Sequence, residues 1–113
     1  MLVYKIVPRS LWTGAAASGS FAGAPVDLAD GFIHFSTAAQ ARDTARLHFG
    51  DRSDLLLVAV EANRFGDALR WEESRGGALF PHLYGSLAIA DAAWVVDLPL
   101  GPEGLHRFPA DLS

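Results

Sequence analysis

The string Leu55-Leu56-Leu57-Val58-Ala59-Val60 constrains this chain more than any other feature. Successive side chains of a strand face opposite ways, so an unbroken apolar string leaves no face for water. The spacing predicts a central strand over Leu55–Glu61. Half of the 113 residues are apolar and 19% are charged, which is enough to bury a core and excludes intrinsic disorder. Cysteine is absent. That removes disulfides, thiolate nucleophiles and thiolate metal sites, and leaves packing alone to hold the fold.

Further elements follow from period and punctuation. Leu2–Val7 is β-branched and aromatic and predicts a strand ended by Pro8. Ser10 reads as the N-cap of a helix running to Ser18, with Leu11, Trp12 and Ala15–Ala17 as its buried stripe. The stretch from Ser20 to Asp30 has no period and reads as loop. Phe32–Ser36 predicts a strand, and Thr37 caps a helix over Ala38–Phe49. Ala68–Glu72, Leu79–Tyr84 and Ala93–Leu98 predict further strands, with a single helical turn over Ile89–Ala92. Helices alternate with strands only in the first half, so the expected class is α+β: a small split, mixed or antiparallel sheet core with two to three short helices.

No internal repeat or linker divides the chain, and one domain spans 1–113, with 101–113 as a Pro- and Gly-rich tail. The net charge of −4 argues against general nucleic-acid binding, which asks for a basic face. The N-terminus lacks the pattern of a signal peptide, and no apolar run approaches the roughly 20 residues of a membrane span. The expected setting is the cytoplasm, with no membrane partner. The sequence leaves the oligomeric state open.

Three strings place polar groups among apolar ones. In Asp30-Gly31-Phe32-Ile33-His34-Phe35-Ser36-Thr37, His34 and Ser36 share a strand face with Phe32 and lie just before a helix N-terminus, where an anion is favoured. The plainer reading makes Thr37 a helix cap, Ser36 a backbone partner and His34 a core histidine. In Arg70-Trp71-Glu72-Glu73-Ser74-Arg75-Gly76-Gly77, desolvation beside Trp71 can raise a carboxylate's pKa, which suits a general base or the stabilising of positive charge. Here the plainer reading is a strand end and a glycine turn, with Arg70 and Arg75 pairing Glu72 and Glu73 in solvent. In Leu79-Phe80-Pro81-His82-Leu83-Tyr84-Gly85, the alternation puts Phe80, His82 and Tyr84 on one face, able to bond and stack on a planar ligand. His34, Glu72 and His82 are expected to converge on one cleft, because three separately buried polar groups would each need a partner of their own. His48 and His106 read as surface. A metal-assisted hydrolase built on His34, His82 and Glu72 lacks any recognised ligand spacing, so no metal is expected.

Together with Tyr4-Lys5-Ile6 and Trp12, these strings resemble one bacterial family, the domain of unknown function numbered nine hundred and fifty-two, over about Leu2 to Leu100. The resemblance implies a fold related to the ADP-ribosyltransferases, whose cleft holds NAD as substrate in active members. His34-Phe35-Ser36 looks like the His-x-Ser/Thr motif that anchors the ribose and amide of NAD. Glu72 is similar to the glutamate that acts on the transfer, and Tyr84 to the tyrosine that stacks on nicotinamide, although Glu72 precedes Tyr84 here and the order is reversed in many such transferases.

The function this implies is a cleft binding NAD or a related small nucleotide, with transfer of ADP-ribose through an oxocarbenium-like state as the activity. Glu72 and His34 are the expected catalytic residues. His34, Ser36, Thr37, Trp71, His82, Tyr84 and Gly85 are the expected ligand contacts. The alternative is a non-catalytic ligand- or protein-binding module on the same fold.

Overall fold

The computed structural model describes residues 1–112, with every side chain among them except that of Arg75. Two three-stranded antiparallel sheets dominate it. In the larger, β4 (Leu55–Glu61) lies between β1 (Leu2–Pro8) and β8 (Ala92–Leu98). The apolar string is central for the reason read from its pattern. Leu56, Val58 and Val60 enter one core cluster, with Trp12, Phe21, Ile33, Phe35 and Leu83. Leu55, Leu57 and Ala59 enter the other, with Tyr4, Ile6, Ala45 and Leu98. The strand divides two cores, and each face needs its own cover.

The smaller sheet has β6 (Leu79–Leu83) between β3 (Ile33–His34) and β5 (Leu69–Glu73). The two sheets meet where Tyr4 and Ser36 exchange backbone hydrogen bonds, each 2.8 Å long, and within the smaller sheet Phe35 N–H extends the β3–β6 pairing by donating to the Pro81 carbonyl at 2.9 Å. Helix α3 (Ala38–His48) packs Ala41 and Ala45 inward beside this junction. Thr37 caps it: the Thr37 hydroxyl accepts from Gln40 N–H at 3.2 Å, and the Gln40 amide oxygen accepts from Thr37 N–H at 3.0 Å, a reciprocal arrangement that satisfies two otherwise orphaned donors.

Several expectations are corrected. Helix α1 (Arg9–Ser18) starts directly after Pro8, so Ser10 lies inside it and caps nothing. Of the expected stripe only Trp12 is fully buried, while Leu11, Ala16 and Ala17 are exposed. The stretch read as loop contains β2 (Ser20–Phe21) and the six-residue helix α2 (Pro25–Asp30). A helix that short shows no period, and its signal is instead Pro25 at the first position. β2 pairs with β7 (Leu87–Ala88), a contact between distant segments that no local pattern announces. Among the described residues no helix is long and apolar enough to cross a membrane.

Candidate functional site

The register of β3 on β6 pairs His34 with His82. Residues directly opposite in an antiparallel pair point to the same face, and the two imidazoles lie 5.4 Å apart, nearly edge to face at 68°. Phe32 covers both. Its ring stacks on His82 at 4.1 Å and reaches His34 at 4.6 Å and Tyr84 at 5.3 Å.

Each imidazole is held at Nδ1 by a carboxylate, and the two settings differ. Asp27 Oδ1 lies 2.6 Å from His34 Nδ1 and accepts the His34 backbone N–H at 3.1 Å. Asp27 also accepts from Ala24 N–H at 2.8 Å and from Lys5 Nζ at 3.0 Å. The carboxylate is 1% exposed. Burial pushes its pKa up, but His34 and Lys5 outweigh this and bring it down to about 2. Burial lowers the Lys5 pKa, while Asp27 opposes that shift. Gly23 makes room for this arrangement. A Cβ there would come within 2.8 Å of the Asp27 Cβ, and its φ of +129° suits glycine. The outer nitrogen of His34, Nε2, lies 2.9 Å from Asp30 Oδ2.

The second pair is open to water on its acidic side. Glu72 Oε1 lies 2.8 Å from His82 Nδ1 and accepts from the Tyr84 hydroxyl at 2.8 Å. These two bonds hold the Glu72 carboxyl below the usual range. The shift expected from the neighbouring Trp71 has the opposite sign, because two donors outweigh desolvation at an accessible carboxylate. Donation to Glu72 raises the Tyr84 phenol, and the Arg70 guanidinium sits 4.7 Å over its ring.

A cavity of about 650 Å³ opens beside the junction of the sheets. His34, Ser36 and His82 line it, along with Lys5, Asp30, Thr44 and His48 and the aromatic walls Tyr4, Phe35, Phe49 and Phe80. His34, Glu72 and His82 therefore form one linked group, with Glu72 behind His82 and outside the lining. Tyr84 and Gly85 are also outside it. The alternation of β5 turns Trp71, which pairs with Pro81, to the opposite face from Arg70 and Glu72. Thr37 serves its helix, and the Ser36 hydroxyl lies 2.9 Å from that of Thr44. Among the described residues no three His, Cys, Asp or Glu side chains are placed to hold a metal ion.

Residues 6–95 match the family described as "Protein of unknown function (DUF952)". The chain belongs to this family. The central strand β4, all of the smaller sheet and both histidine–carboxylate pairs fall inside the matched span. The protein is also similar to the crystal structure of protein CC0527 from Caulobacter crescentus, at 48% identity over 95% of this chain and 94% of that one, with a TM-score of 0.91. The solution NMR structure of CC0527 gives 49% identity over 92% and 90%, with a TM-score of 0.84. Among curated proteins none matches.

In this DUF952 protein the residues that sequence reasoning passed over are Lys5, Asp27, Asp30 and His48. Lys5 had a visible signal, a charge in the middle of Val3-Tyr4-Lys5-Ile6-Val7, because a buried ammonium demands a partner. Nothing local says that the partner is 22 residues away in Asp27. His48, read as surface, is exposed and also reaches the cavity wall.

Proposed function

We propose that the protein binds NAD or a related nucleotide in the cleft between its two three-stranded sheets, on a fold related to the ADP-ribosyltransferases. One observation carries this reading. His34 and His82 face each other at the edge of an aromatic-walled cavity, each fixed at Nδ1 by a carboxylate. Fixed imidazoles offer hydrogen bonds to ribose hydroxyls or a carboxamide, aromatic walls suit planar rings, and the volume lies in the range of small-ligand pockets. His34 and Ser36 would hold the ribose and amide.

Transfer of ADP-ribose is the activity such a cleft would host. Glu72 reaches the cavity only through His82, so its part would be to position that imidazole. The same observation favours the second reading, a module that binds without chemistry. Calorimetric titration with NAD, together with an assay for released nicotinamide, separates these. Heat lost in both His34→Ala and His82→Ala supports the binding site, and release of nicotinamide adds transfer. Neither heat nor release in the wild-type protein overturns the nucleotide reading.

A further inference from the structure

Asp30 is the acidic side chain that lines the cavity, and its surroundings define what can sit beside it. Its Oδ2 contacts His34 Nε2 at 2.9 Å, and its side chain is 49% exposed. Among the described residues Oδ1 has no hydrogen-bonding partner. The corner thus offers a carboxylate oxygen, which only accepts, next to the outer imidazole nitrogen of His34. The nearest ammonium is already committed. Lys5 Nζ lies 2.9–3.0 Å from both Asp27 oxygens, and its side chain is 6% exposed. His34 Nδ1 is taken by Asp27 as well. Counted together, two carboxylates face one ammonium and one imidazole, so among the described residues this corner has no spare positive charge for a phosphate.

A pair of neighbouring neutral hydroxyls suits it better. One O–H would donate to Asp30 Oδ1, and the adjacent hydroxyl would then face His34 Nε2. We infer that Asp30 and His34 form a subsite for the unphosphorylated vicinal diol of a ribose, and that Asp30 selects against a phosphate there. This rests on the nucleotide reading and specifies which chemical group of the ligand lies at this wall. The chemistry parallels the general use of an acidic side chain on ribose hydroxyls, with a phosphate excluded by like charge.

The test uses calorimetric affinities for two matched pairs: NAD against NADP, which carries a 2′-phosphate, and nicotinamide mononucleotide against its 2′-deoxy analogue. Each pair alters a different ribose of the dinucleotide. The wild-type protein is expected to prefer the intact diol in at least one pair by about ten- to a hundredfold, the usual range for a hydrogen bond to a charged group. In Asp30→Ala that preference should collapse towards unity while the protein stays folded, since Asp30 is half exposed at the end of α2. Asp30→Asn keeps the shape, removes the charge and should recover the phosphorylated ligand in particular. Bound NAD with no preference in either pair, or a preference unchanged in Asp30→Ala, overturns the diol subsite and leaves the nucleotide reading standing. No binding of NAD or the mononucleotide overturns both.

Discussion

The two three-stranded sheets solve opposite problems with similar topology. In β1-β4-β8 the central strand is apolar on both faces and serves as a partition between cores. In β3-β6-β5 the central strand buries Leu83 on one face and presents Phe80 and His82 on the other, against Arg70, Glu72 and His34 on its neighbours. Leu83 lies in the core with Val58 and Ile33, so one face of the small sheet anchors it to the larger one. The other face carries the polar groups of the candidate site, with Phe32 over the histidines. The larger sheet draws its stability from area, which tolerates small errors. The smaller depends on matched polar partners, where one missing group leaves a whole charge or dipole stranded.

The largest expected effect comes from breaking the most deeply matched group. Asp27→Ala leaves Lys5 buried without its counter-charge, and should lower stability by about 3–5 kcal/mol in urea denaturation. A loss below about 1 kcal/mol would show that Lys5 finds water or another acceptor. Leu57→Ala attacks the partition strand instead and should cost about 2–5 kcal/mol, depending on how far the cavity collapses. If the two sheets differ as described, this second variant should leave nucleotide affinity unchanged while the first abolishes it.

Acid gives a gentler probe of the same contrast. The Asp27 carboxyl is lowered to about 2 in the folded protein and returns to an ordinary value of about 4 on unfolding. A depressed folded pKa stabilises the fold above the unfolded value, and this stability fades as pH falls from about 4 through about 2. The contribution is about 2 kcal/mol. Denaturation midpoints of the wild type and of Asp27→Asn, followed over this window, should converge as the solution becomes more acid. Parallel curves would mean that the carboxylate owes little to its partners.

Smaller effects test the open pair. Glu72→Gln removes the charged acceptor that raises the Tyr84 phenol, so ultraviolet titration should show that phenol ionising at lower pH than in the wild type. An unchanged titration would place the cause elsewhere. Trp71→Ala should leave NAD affinity as it was, because the ring faces away from the histidines. Any marked loss would contradict the strand alternation that turns it aside.

The legibility of the sequence follows the same division. The partition strand is readable because burial on both faces writes itself into consecutive residues, and β1, β5, β6, β8 and α3 also carry their periods or caps locally. The strings around His34 and His82 stand out because polarity inside an apolar string is rare, and cross-strand register then joins them. Asp27 was hidden because it sits in a helix of six residues, too short for a periodic signal. Its partners Lys5 and His34 are brought to it only by the packing of α2 against β1 and β3. The orientation of Trp71 was equally out of reach, since it depends on which face of β5 meets the core, a matter decided by β6.

The junction of the sheets has a consequence for motion. At the strand edges, Tyr4 and Ser36 hold β1 to the segment after β3 through one reciprocal pair of backbone hydrogen bonds, and both residues line the cavity. A molecule wedged there would brace the joint from inside. Exchange of the Tyr4 and Ser36 amide protons with heavy water would then act as a gauge of occupancy, slowing when the cleft is filled, whereas amides in the middle of β4, closed in by strands on both sides, would report only the unfolding of the whole molecule.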